Sequence, residues 1–270
     1  MELKNILIYS DMDGTMLTDW DRGPVVPERN LAAITRFMNE GGSFSIASGR
    51  QHTDILGFFP GFEFNAPIVQ GNGASLYDCQ KKTVFARLPL SRQYKEESIA
   101  FARANPWVWV VAADTRTVMQ INMGDDRDRV TRALKENRIS IEEYLTGEYV
   151  KIVYVVADPA DMPRLRELTA HFTCAPEISA SMSSPVFLET FDCRASKALG
   201  IQKARDYANL NHKTLVCVGD YYNDKEMLEL ADIAVCPSNA PEDLKALAHI
   251  ITCNNNEGAL ADLIEALERM

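Results

Sequence analysis

The chain has 270 residues, 46% of them hydrophobic, enough to bury one large core or two smaller ones. Its 28 Lys and Arg stand against 38 Asp and Glu, a formal charge of -10 that repels phosphate backbones and anionic lipid at long range, so neither nucleic acid nor a membrane is expected as a partner. Cys79, Cys174, Cys193, Cys217, Cys236 and Cys253 form no CxxC pair and read as reduced core residues; with no long apolar run and no signal-like N-terminus, a soluble cytoplasmic protein is expected.

In chain order, NILIYS (5–10) is a short apolar run with the profile of a strand buried on both faces, and it leads into DMDGT (11–15). PERNLAAITRFMNEGG (27–42) predicts a helix: Pro27 suits a first turn, Leu31, Ile34, Phe37 and Met38 share a face, and Gly41 and Gly42 end it. SFSIAS (43–48) and APIVQ (66–70) are two more buried strands.

From about residue 84 to about 189 the pattern changes. It runs helix (RQYKEESIAFARAN, 92–105), two strands and a turn (WVWVVAADTRTVMQI, 107–121), helix (DRDRVTRALKEN, 126–137), strand (VKIVYVVA, 150–157), helix (PADMPRLRELTAHF, 159–172), then strands CAPEISAS (174–181) and PVFLETF (185–191). ISIEEY (139–144) leaves room for one further strand. Beyond it, strands TLVCVG and DIAVC alternate with helices SKALGIQKARDYANL, NDKEMLELA, APEDLKALAHI and EGALADLIEALERM. An α/β domain with a parallel sheet, residues 1–83 and 190–270, is therefore expected around a separate α+β domain, residues 84–189.

In an open parallel sheet ligands sit at the carboxyl ends of the strands. There the sequence places Asp11 and Asp13, then Ser48, Gly49 and Arg50, then Asn72, then Asp220, Asn223 and Asp224. Two carboxylates two residues apart leave an extended chain on one side and need a cation between them; Asp220 would make a third, and hard oxygen ligands favour Mg²⁺ over zinc or copper. Each motif also has a plainer reading. DMDGT suits an exposed acidic turn, Ser48 a helix cap, Lys197 an exposed solvated lysine, and Asn223 or Asp224 the cap of the following helix. His52, His171, His212 and His249 follow no ligand spacing, Trp107 and Trp109 alternate with valines as packing residues, and GNGAS lacks a dinucleotide fingerprint.

Taken in order, DMDGT, SGR, Lys197 and GDYYNDKEML resemble the four motifs of the haloacid dehalogenase superfamily, and GNGAS with CPSNAPEDLKALA narrows the resemblance to its Cof-like hydrolases, subfamily IIB. The resemblance implies a Rossmann-like core with an inserted C2-type cap that controls substrate access, and Mg²⁺-dependent hydrolysis of small phosphorylated metabolites, sugar phosphates among them. It makes Asp11 the nucleophile that forms an aspartyl-phosphate and Asp13 the acid, then base. Ser48 and Lys197 would hold phosphoryl oxygens, with Gly49, Arg50, Asn72 and Asn223 on the substrate. Asp11, the Asp13 carbonyl and Asp220 would ligate Mg²⁺, with Asp224 behind them. Arg194 in CRASK and Cys236 and Pro237 in CPSNA depart from the family pattern, which bears on substrate fit. A phosphomutase or phosphotransferase, or a metabolite-binding regulator without turnover, are the competing readings, and the oligomeric state is left between monomer and homodimer.

Overall fold

A strand with apolar side chains on both faces, as Ile6 to Tyr9 of NILIYS give it, has no solvent face and must be covered on both sides. The computed structural model describes residues 2–19, 21, 23–114, 117–122 and 139–270. In chain order it contains β1 (Ile6–Ser10), α1 (Glu28–Asn39), β2 (Ser43–Ile46), α2 (His52–Gly57), β3 (Ile68–Gln70), β4 (Ser75–Asp78) and β5 (Thr83–Arg87). The middle of the chain adds α3 (Arg92–Ala104), β6 (Val108–Asp114), β7 (Thr117–Ile121), α4 (Ile141–Thr146), β8 (Lys151–Val156), α5 (Met162–Ala170), β9 (Ile178–Ser184) and β10 (Phe187–Asp192). The last part adds α6 (Lys197–Tyr207), β11 (Thr214–Val218), α7 (Lys225–Leu230), β12 (Ile233–Pro237), α8 (Glu242–Lys245), β13 (Ile250–Thr252) and α9 (Ala259–Arg269). The chain divides into two units, Met1–Ala86 with Ser196–Met270, and Arg87–Ala195. The expected helix DRDRVTRALKEN lies outside the described residues.

The first unit is an α/β fold. Its five-stranded sheet has the order β13-β12-β11-β1-β2, every pair parallel. Alternate residues of β1 feed two cores, as a period of two requires. Ile6 and Ile8 pack with Ile34 and Phe37 of α1 and Leu263, Ile264 and Leu267 of α9. Leu7 and Tyr9 pack on the other face with Ile201 and Ala204 of α6 and Met227 and Leu228 of α7. Burying each such aliphatic side chain stabilises the fold by about 1.5–3 kcal/mol.

Four expectations are corrected here. Helix α1 buries Asn30, Ala33, Ile34 and Phe37, while Leu31 is exposed and Pro27 lies just before the first turn. APIVQ is not a full member of the parallel sheet: β3 pairs antiparallel with β4, β5 completes a three-stranded sheet, and one parallel bridge, Ala47 to Val69, links it to the end of β2. APEDLKALAHI is not one helix, because α8 is a single turn and Ile250 opens β13, which pairs with β12. ISIEEY is not a strand; Ser140 and Glu143 form a capping box that starts α4.

The second unit is α+β. Its sheet, ordered β7-β6-β8-β10-β9 with antiparallel neighbours, buries Val110, Ile152, Tyr154 and Leu188 against Tyr94 and Ile99 of α3 and Leu165 of α5. Buried Lys95 donates to the carbonyls of Leu145 and Gly147 at 2.9 and 2.8 Å, a cation at the carboxyl end of α4, where the helix dipole favours one. A cavity of about 380 Å³ lined by Tyr94, Arg166, Thr169, Leu188 and Thr190, among others, lies wholly within this unit and contains none of the expected site residues. All six cysteines are free; Cys174, Cys217 and Cys236 are buried, whereas Cys193 is exposed and not a core residue. No helix among the described residues is long and apolar enough to cross a membrane.

Candidate active site

Parallel pairing puts the carboxyl ends of β1, β2, β11 and β12 along one edge of the sheet. The β1 ladder continues past Ser10 in both directions: the Asp11 N–H donates to the Val218 carbonyl and the Ala47 N–H to the Ser10 carbonyl, each at 2.9 Å. Asp11 thus leaves β1 beside the end of β11, and Ser48 leaves β2 next to it. The chain then turns, with the N–H groups of Thr15, Met16 and Leu17 all donating to the Met12 carbonyl. Gly14 lies in the left-handed region at φ +76°, and a Cβ there would stand 2.3 Å from Asp220 Oδ2. Only glycine combines that backbone with that contact. The Thr15 hydroxyl donates to Asp220 Oδ1 at 2.6 Å, a role for the last residue of DMDGT that no local pattern signals across 205 positions.

Lys197 opens α6 behind Ser196, whose side chain accepts from the Leu199 N–H as an N-cap. The lysine is not an exposed, solvated side chain. It is buried, and its Nζ donates to Asp11 Oδ1 and to Asp224 Oδ1, both at 2.5 Å. Asp224 Oδ2 accepts from the N–H groups of Asp220 and Tyr221 at 3.0 and 3.2 Å, so the carboxylate that holds the lysine also shapes the turn presenting Asp220.

Oxygens of Asp11, Asp220 and Asp224 lie within 4.8 Å of one another. Three carboxylates face one ammonium, which leaves two negative charges uncompensated. Burial, reinforced by Asp224 and Asp220, raises the Asp11 pKa well above the ordinary carboxylate value against the pull of Lys197. Asp220 is pushed up to about 7, first by burial, which outweighs the Thr15 hydrogen bond, and then by Asp224. Burial acts to lower the Lys197 pKa, but Asp11 and Asp224 outweigh it and keep the ammonium charged. Converging hard oxygens with excess negative charge and no thiolate or imidazole among them fit a divalent cation such as Mg²⁺.

The other expected residues form a second group. The Arg50 guanidinium forks onto Asp13, Nε to Oδ2 and Nη2 to Oδ1, both at 2.7 Å, and lies over the Phe58 ring. This bidentate pair raises the Arg50 pKa. Asp13 therefore does not share the Lys197 cluster through its side chain. Ser48 is buried and is no helix cap, since Gln51 precedes α2; its Oγ accepts from the Arg50 N–H at 3.2 Å. The Asn72 N–H donates to the Ser48 carbonyl at 2.9 Å, and its amide packs on Gly49, where a Cβ would come within 3.2 Å. Asn223 is exposed on the turn before α7 and makes no side-chain hydrogen bond with another described residue. Of the departures, Arg194 is forked onto Asp192 at 2.7 and 2.9 Å, and the Cys236 thiol is buried facing the Leu244 carbonyl.

The model of one family, the haloacid dehalogenase-like hydrolases, matches residues 8–264. The 5-amino-6-(5-phospho-D-ribitylamino)uracil phosphatase YitU of Bacillus subtilis is 27% identical over 98% of this chain and 98% of its own. The pyridoxal phosphate phosphatase YbhA of Escherichia coli is 24% identical over 96% of this chain and 97% of its own. The crystal structure of TM0651 from Thermotoga maritima superposes with a TM-score of 0.82 at 20% identity, covering 97% of each chain, and carries the fold.

Proposed function

Because this chain belongs to the haloacid dehalogenase-like hydrolases and is a phosphatase, we propose that it hydrolyses phosphate monoesters of small metabolites, sugar phosphates among them, through a phosphorylated Asp11. The observation that carries the reading is the buried Lys197 bridging Asp11 and Asp224 with Asp220 beside them. Two relatives named for phosphorylated small molecules support the substrate class.

In this mechanism an Asp11 carboxylate oxygen attacks phosphorus in line with the ester oxygen. The new Asp11–phosphorus bond forms as the ester bond breaks, and Asp13 donates a proton to the departing alkoxide. For this the Asp13 carboxyl exchanges part of its Arg50 fork for the proton, which leaves Arg50 able to turn toward the substrate. A water then gives its proton back to Asp13 and attacks phosphorus, releasing phosphate and restoring Asp11. The Lys197 ammonium, the Ser48 hydroxyl and the Gly49 N–H take up charge on the phosphoryl oxygens, where this chemistry needs it most. Asp11, the Asp13 carbonyl and Asp220, with Asp224 behind, would hold a Mg²⁺ ion, which would supply the charge that lets a carboxylate approach an anionic phosphate.

Turnover of p-nitrophenyl phosphate with Mg²⁺ tests the proposal. Asp11→Asn is expected to lower kcat by about 10³-fold or more. Wild-type protein without turnover, or a variant as active as wild type, overturns the covalent mechanism.

A further inference from the structure

The CPSNA segment has no role in the reaction just described, yet its asparagine reaches the turn that carries both aspartates. That turn has its carbonyls taken from outside by side-chain amides. Asn239 Nδ2 donates to the Gly14 carbonyl at 2.8 Å, Asn30 Nδ2 to the Met16 carbonyl at 3.3 Å and Asn255 Nδ2 to the Leu17 carbonyl at 2.9 Å. Two of these amides are themselves anchored at their oxygens: Asn239 Oδ1 accepts from the Asn255 N–H at 3.1 Å, and Asn30 Oδ1 from the Ala261 N–H at 3.0 Å.

Asn30 and Asn255 are buried and belong to the core. Asn239 is exposed, and an exposed neutral hydrogen bond contributes little to stability. Its acceptor sets it apart. Gly14, with no Cβ, has the widest backbone freedom in the turn, and it is the residue whose Cα side lies against Asp220. Fixing the plane of the Gly14–Thr15 peptide removes that freedom at the one joint between Asp13 and the Thr15 hydroxyl that holds Asp220.

We infer that Asn239, braced by the Asn255 N–H, is a positioning residue: through the Gly14 carbonyl it sets how Asp13 leaves the turn and how Thr15 meets Asp220. The inference rests on the functional reading above. A displacement of about 1 Å at a reacting group can cost on the order of 10²-fold in rate, so the effect on turnover should exceed the effect on folding.

The test compares Asn239→Ala with Asn256→Ala, which removes two hydrogen bonds with Asp19 in the same amide cluster, one accepted from the Asp19 N–H at 3.0 Å and one donated to Asp19 Oδ2 at 2.8 Å, but touches nothing at Gly14. Asn239→Ala should lower kcat on p-nitrophenyl phosphate about tenfold or more with KM changed less than about threefold, and Asn256→Ala should keep kcat within about twofold. Hydrogen exchange over residues 11–19 should quicken about tenfold in Asn239→Ala relative to wild type. A kcat near that of wild type, an equal loss in Asn256→Ala, or unchanged exchange over 11–19 overturns the inference. If wild type shows no turnover at all, the phosphatase mechanism fails, and the exchange comparison alone then decides the role of Asn239.

Discussion

Asp11 and Asp13 stand two positions apart with the same functional group, and their different partners divide their chemistry. Asp11 is buried, with Lys197 on one oxygen and two further carboxylates within 4.8 Å, so it is held in place with a cation at its side. Asp13 is half-buried, and both of its oxygens are taken by the donors of a single arginine. In the proposed mechanism the first attacks and the second moves a proton. Asp13→Asn should therefore slow an alkyl phosphate, whose alkoxide needs a proton to leave, by about 10²-fold or more, and should slow p-nitrophenyl phosphate less. Comparing kcat for the two substrates checks this, and equal losses would count against an acid role.

At the scale of elements, the active edge depends on two chain segments pressed together at glycines. Gly71, Asn72 and Gly73 all lie in the left-handed region, at φ 57, 53 and 92°. A Cβ on Gly73 would stand 2.0 Å from the Ser196 carbonyl oxygen, and one on Gly200 would stand 2.5 Å from Val69 Cγ1. The turn after β3 thus seats directly on the first turn of α6, the turn that delivers Lys197. Gly73→Ala adds about 1–2 kcal/mol of left-handed strain and a clash with backbone that cannot swing aside. A loss of about 3 kcal/mol in urea unfolding is expected, with reduced turnover as Lys197 shifts; unchanged stability would mean that the two segments are free to part.

At the scale of the whole molecule, a chain of formal charge -10 concentrates three carboxylates in one buried spot with a single ammonium among them. The folded protein holds the Asp220 pKa at about 7, above its ordinary 3.8, so in the metal-free state it binds this proton more tightly than the unfolded chain does. That contribution, on the order of 4 kcal/mol at most, is present below about pH 4 and is lost as the pH rises through about 7. A cation bound as proposed would take the proton's place, and the proton would compete with it at low pH. The increase in Tm on adding Mg²⁺ should accordingly be larger near pH 8 than near pH 5, as thermal unfolding with Mg²⁺ or with a chelator would measure. A Tm increase independent of pH, or none, would sink the cation assignment.

The alternation of buried strands and helices was legible in the sequence, because a strand covered on both faces leaves an unbroken apolar run and its polar successor marks the sheet edge. NILIYS with Asp11 and TLVCVG with Asp220 are such pairs. Short segments between Ala240 and Thr252 were not, since a run of that length suits a helix or a strand until its neighbour β12 pairs with it. Nor could local pattern disclose the partners. Lys197 reaches Asp11 across 186 positions, Thr15 reaches Asp220 across 205 and Asn239 reaches Gly14 across 225. By itself the sequence determined which groups stand at the strand ends. Only the tertiary structure decided which carboxylate is buried on the lysine, which is forked by Arg50 and which amide locks the glycine, because hydrogen bonds and charge pairs depend on distances that folding alone creates.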